Sequence, residues 1–99
     1  MKNNLEIRVD KWLWHARFFK TRSFTASFIR EQGININGVD FFKPSTIVKV
    51  NDILYFRYHK AFKMVKILII PCRRVSFDLA FEAYHDFSLE IGINNETNY

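Results

Sequence analysis

Apolar positions along this chain follow three successive rhythms. Val9, Trp12, Leu13, Ala16 and Phe19 recur at the spacing of one helical face, which predicts a first helix over Asp10 to Phe19 turned toward a core. The other side of that helix carries Lys11, Trp14 and Phe18, with Arg17 at its edge. Two readings stay open for the rings: they stack on exposed bases, or they are covered by a second layer of the same protein. Lys20 to Arg22 is a short connector. Ser23 is then the expected N-cap of a second helix running to about Gln32, with Phe24, Thr25, Phe28 and Ile29 on one face and Gly33 as its C-terminal stop.

The period next falls to two. Ile34 and Ile36 alternate with Asn35 and Asn37, and Asn37-Gly38 is a strong hairpin signal that returns the chain through Val39 to Phe41. Lys43-Pro44-Ser45 interrupts the pairing. A strand resumes over Thr46 to Val50, and two more follow, Ile53 to Tyr58 and Lys63 to Ile70, hinged at His59 to Phe62. Beyond Pro71 the helical spacing returns in Phe77, Ala80, Phe81 and Tyr84. This predicts a last helix opened by Ser76, with Asp78 in its first turn, closing over the sheet as a lid. The predicted class is α+β: two short N-terminal helices packed on a small, mainly antiparallel sheet, with a C-terminal helix. A single domain is expected over residues 7–86, after a loose leader (1–6) and before a polar, acidic tail (87–99) whose end, Asn94 to Tyr99, frays.

Composition sharpens this picture in two ways. With 48% hydrophobic and 17% aromatic residues among 99, the chain is too rich in core-forming side chains to remain disordered. Its formal charge of +5 is unevenly placed. Arg8, Lys11, Arg17, Lys20, Arg22 and Arg30 are opposed only by Asp10, and Arg57, Lys60, Lys63, Lys66, Arg73 and Arg74 only by Asp52. From Val75 onward the sign reverses, with Asp78, Glu82, Asp86, Glu90 and Glu96 and no lysine or arginine. A polyanionic partner is expected for the basic part. The longest apolar run, Ile67 to Ile70, is far too short to span a bilayer, so no membrane partner is expected. The lone Cys72 has no disulfide partner and suits a reducing, cytoplasmic setting, where it is expected to be a small buried hydrophobe beside Pro71.

Catalytic spacings are absent from the sequence. His15, His59 and His85 are scattered and are expected to be surface or half-buried rings, and three separated glycines make no phosphate loop. Asp78, Glu82 and Asp86 share a helical face, which is read as a solvated acidic surface rather than a metal site. The expectation is a protein that is not an enzyme, with no catalytic residue, metal, cofactor or small-molecule substrate.

One stretch is more specific than any of these features. The run from Arg8 to Ser23, followed by Gly33, Ile36-Asn37-Gly38, Lys43-Pro44-Ser45 and Val48 to Asp52, resembles the alpha-L RNA-binding motif of ribosomal protein S-four. More narrowly, the chain resembles the ribosome-associated heat shock protein 15 family, in which that motif stands almost alone. The similarity covers about residues 7–86, with the core motif at 8–52. It departs from the family pattern at Val9, where leucine is usual, at Asn51, where a glycine usually precedes Asp52, and at its acidic end, where longer members carry a basic extension.

The resemblance implies an RNA surface formed by the helix pair and first hairpin. It implies contacts from Arg8, Lys11, Arg17, Lys20, Thr21, Arg22, Asn37, Lys43 and Ser45. It also implies a partner, ribosomal RNA on the free large ribosomal subunit, with tRNA as a further contact, and a role in rescuing or recycling stalled subunits. A monomer is expected. Two other readings stay open: a protein-interaction adaptor using Trp14, Phe18 and the acidic last helix, and a duplex DNA-binding helix-turn-helix. The second helix offers a DNA reader few base-reading side chains beyond Arg30 and Gln32.

Overall fold

A strand that no sequence rhythm indicated precedes the first helix in the computed structural model, which describes residues 5–88. Glu6–Arg8 (β1) pairs antiparallel with Ile47–Lys49 (β4), Ile7 opposite Val48, in a separate two-stranded sheet. Glu6, assigned by sequence to the leader, is therefore already paired. Residues 1–4 of that leader lie outside the described residues, as does the expected tail beyond Ser88.

The first helix, Val9–His15 (α1), stops four residues before the predicted Phe19. Its end is a left-handed reversal: Arg17 has φ 68°, its N–H donates to Trp14 O at 3.0 Å, and the Phe18 N–H donates to Leu13 O at 3.0 Å. This pair of bonds is the Schellman arrangement usually built on glycine. The reversal swings Phe18 inward. It is 6% exposed, with its ring centroid 4.7 Å from that of Tyr84 and 5.3 Å from that of Phe56, so Phe18 belongs to the core and not to an outer helix face.

The second helix, Arg22–Gln32 (α2), is capped by Thr21 rather than by Ser23: the Thr21 hydroxyl accepts from the Phe24 N–H at 3.1 Å. Its inward face centres on Thr25 and Ile29, while Phe24 stays 56% exposed. Gly33 ends it with φ 78°, and a Cβ there would stand 2.8 Å from the Phe42 ring.

The main sheet has five strands in the order β3-β2-β5-β6-β7, all neighbours antiparallel. Ile34–Ile36 (β2) and Val39–Phe41 (β3) are joined by Asn37 and Gly38, both with positive φ as a primed two-residue turn requires. Ile53–Tyr58 (β5) and Ala61–Ile67 (β6) meet at a turn tighter than the predicted hinge, with His59 at φ 53°. Behind the sheet, Trp12, Leu13, Ile29, Leu54, Val65 and Ile67 are completely covered. Each such side chain contributes roughly 1.5–3 kcal/mol on burial. The Trp12 indole N–H is satisfied by Ile69 O at 3.0 Å.

The last helix is present but is of the 3₁₀ kind, Phe77–Ala83, and the chain then returns to the sheet as Tyr84–Asp86 (β7), with Tyr84 opposite Ile67. Ser76 makes no side-chain cap. Three residues per turn place Ala80 over Ala83, and those two alanines enter the core. Phe77 and Phe81 are 67% and 65% exposed, so the predicted lid does not pack through its phenyl rings.

Candidate nucleic-acid interface

The corner between α1 and α2 is assembled by the two devices just described. The Arg17 reversal and the Thr21 cap deliver Lys20, Thr21 and Arg22 to the start of an 11-residue helix that has no acid in its first turn. The partial positive charge of that helix end adds to the two side-chain cations, an arrangement suited to phosphate.

His15 shows how close the cations lie. Its ring is buried and faces Pro71 O through Nδ1 at 3.2 Å. Burial lowers its pKa below 6.5, and the charges of Lys11, Arg22 and Arg74 act in the same direction against the hydrogen bond to Pro71. Together these favour the uncharged ring. The sequence reading had placed it at the surface or half-buried. Arg17 in turn lies near Arg74, whose pKa is lowered by burial and then by Arg17's charge. Lys11, Arg17, Lys20, Thr21 and Arg22 are thus brought together.

Arg74 is the residue that sequence reasoning missed. Its Nε donates to Trp14 O at 3.0 Å, its Nη2 donates to Phe19 O at 3.1 Å and Lys20 O at 3.5 Å, and its guanidinium lies 5.0 Å from the Trp14 ring centroid. It fastens the corner from the segment that links β6 to the 3₁₀ helix. The half-buried Trp14 therefore already carries a cation on its ring. With partners some 60 positions apart, no local pattern could have assigned this role.

A second group lies at the other end of α1, about 10 Å away along a seven-residue helix, with Lys11 between. The Asp10 N–H donates to Pro44 O at 3.3 Å and the Val9 N–H to Thr46 O at 2.7 Å, which sets the exposed Lys43 and half-buried Ser45 beside the helix start. Arg8 is there too. Its Nε and Nη2 grip the buried Asp10 carboxylate at 3.0 and 2.8 Å, so only part of its guanidinium is open to a ligand.

Asn37 is not gathered with the others. Its Nδ2 donates to Asp52 Oδ1 at 3.0 Å and its Oδ1 accepts from the Ile53 N–H at 2.9 Å, so both polar atoms serve the turn. Burial alone would raise the Asp52 pKa. The hydrogen bonds from Asn37 and from the Lys49 amide and ammonium outweigh it and hold the carboxyl below its ordinary value.

Other expectations resolve plainly. Cys72 is exposed rather than buried. Asp78 and Glu82 are exposed, but Asp86 sits in β7 on Lys63 at 2.6 Å, so the three do not share a face. Among the described residues no three His, Cys, Asp or Glu cluster as metal ligands, and no helix is long and apolar enough to cross a membrane.

Comparison with known proteins adds four findings. Residues 7–54 match the S4 domain family. The chain is 39% identical over 69 residues to the heat shock protein 15 homolog of Haemophilus influenzae, covering 70% of this chain and 52% of that protein. It is 45% identical over 56 residues to heat shock protein 15 of Escherichia coli K12, covering 57% and 41%. It therefore spans about half the length of these curated relatives. The trimeric structure of Vibrio cholerae heat shock protein 15 superposes with a TM-score of 0.78 at 32% identity, covering 87% of this chain and 86% of that one.

Proposed function

The chain belongs to the heat shock protein 15 family of S4-domain, RNA-binding proteins, and from that premise we propose that it docks on structured ribosomal RNA of the free large subunit and helps to rescue or recycle stalled subunits. The observation that carries this reading is that Lys20 and Arg22 flank the acid-free start of α2, while Lys11 and Arg22 both act on His15 and Arg17 lies near Arg74. Cations and helix end meet phosphates, while the Lys43 to Thr46 turn extends the contact toward ribose and phosphate oxygens through Lys43 and Ser45. Structured RNA is recognised in this way by shape and charge.

The setting proposed is the cytoplasm, with tRNA on the stalled subunit as a secondary contact. The solved Vibrio cholerae relative is trimeric. The present chain is proposed to bind RNA one copy at a time, which light scattering of the free and bound forms will test.

The decisive experiment is sedimentation of a cell extract containing the tagged chain. The expected result is comigration with free large subunits, lost on nuclease digestion and weakened by salt. If about five phosphates are neutralised, affinity falls several hundredfold between about 50 and 200 mM salt. Retention in a complex after complete RNA digestion would indicate a protein adaptor. Displacement by duplex DNA as readily as by ribosomal RNA would indicate a DNA reader.

A further inference from the structure

The exposure of Phe77 and Phe81 is unexplained by anything above. Two phenyl rings from one short segment stand 67% and 65% open to solvent, although Ala80 between them is buried. They meet edge to face at 6.2 Å and line one side of a groove of about 250 Å³. Phe18, Tyr58 and Tyr84 supply further aromatic lining, and Arg17 and Lys63 supply the charge.

The chemistry of this groove is selective. Its volume falls below the roughly 300–1,000 Å³ of pockets for drug-sized ligands and suits a single flat ring system. Aromatic faces bind such rings by stacking, whatever the base, and every acidic side chain is missing from the lining. Arg17 is held by its Nε on Val75 O at 2.8 Å, and its Nη nitrogens have no hydrogen-bond partner among the described residues. The Lys63 ammonium bonds Asp86 at 2.6 Å and lies 5.7 Å from the Tyr58 ring, so it stiffens the wall.

Arg17 also gives the groove its place. The same residue lines the groove and is bonded to Val75, the neighbour of Arg74, so the groove adjoins the cationic corner. We propose that it receives one unstacked base of the bound RNA, with Phe77 and Phe81 against the base and Arg17 on an adjoining phosphate. Both exposed rings of this subsite lie outside residues 7–54, and it rests on the reading that the corner docks on RNA.

The test uses the full chain and two RNA hairpins, identical except that one carries a single bulged 2-aminopurine. The bulged hairpin should bind about tenfold more tightly, the scale of one base stacked on an aromatic ring, and its fluorescence should fall on binding. The double variant Phe77→Leu/Phe81→Leu keeps an apolar cover and removes both rings. It should bring the two hairpins to equal affinity and leave the perfect hairpin's affinity unchanged.

Lys20→Glu/Arg22→Glu should instead weaken both hairpins alike. Equal binding of the two hairpins by the parent chain overturns the base subsite alone, whereas binding of neither overturns the RNA reading beneath it. A bulge preference that survives loss of both rings also overturns the subsite. So does a change in the free protein's sedimentation on ring removal with no effect on the bulge, since a second copy would then be the occupant.

Discussion

The basic residues of the α1–α2 corner differ physically from Lys49 and Lys63 on the sheets. Lys49 and Lys63 each face a carboxylate, Asp52 at 3.0 Å and Asp86 at 2.6 Å, whereas Lys11, Lys20 and Arg22 have no acidic partner among the described residues. Arg8 falls between, open to solvent on one side and fixed to Asp10 on the other. A charge count weights all of these equally. The structure separates cations that neutralise the protein's own acids from cations that meet no carboxylate among the described residues.

The sharpest way to break that division is to reverse the corner. Lys20→Glu/Arg22→Glu should lower affinity for ribosomal RNA roughly a hundredfold at moderate salt and flatten the salt dependence by about two contacts, read by fluorescence anisotropy. Circular dichroism should show the fold intact, because both side chains lie at the start of α2 and neither enters the core.

Asp10→Asn tests the intermediate case and separates two readouts. Removing the buried charge that Arg8 grips should destabilise the protein by about 1–3 kcal/mol in urea unfolding. The same change frees the guanidinium, so the salt dependence of RNA binding should steepen by about one contact. An unchanged slope would mean that Arg8 does not face phosphate.

Lys49→Ala and Lys63→Ala should matter least for RNA, altering affinity by less than about threefold and stability by about 1 kcal/mol or less. A loss comparable to that of the corner variant would dissolve the distinction.

Acidity gives the gentlest probe. The folded chain resists protonating His15, so stability present at neutral pH should begin to fall as pH drops below 6.5, where the unfolded chain takes up the proton first. Asp52 acts in a separate, lower window. Its folded pKa is depressed, so its contribution is complete above 3.8 and is lost as pH falls from there through the folded value. Urea midpoints across this range should show two distinct declines, and His15→Gln should remove the upper one.

What could be read from the sequence was whatever is encoded locally. Asn37-Gly38 specifies its turn because both residues tolerate positive φ, and Gly33 stops α2 for a related reason. The corner cations were legible because they lie within one short run. The end of α1 was not, since the helical spacing continues through Phe19 and nothing marks Arg17 as the residue that turns left-handed. Strand β1 is three residues long and pairs with residues 47–49, too little for alternation to register. The 3₁₀ segment was hidden because Phe77, Ala80, Phe81 and Tyr84 fit a period of 3.6, and only packing selects Ala80 and Ala83 instead. Asn37 was assigned to RNA through a resemblance, while its bonds to Asp52 and Ile53 are visible only in three dimensions.

Arg74 carries a lesson for anyone who would excise or transplant this module. The matched family segment ends at residue 54, yet the bend between its two helices is clasped by a guanidinium from the stretch that follows β6. A fragment cut at that boundary would keep its lysines and lose the brace that aims them. A graft meant to preserve recognition must carry residues 71–75 with it, or replace the brace by a linker rigid enough to hold the same bend.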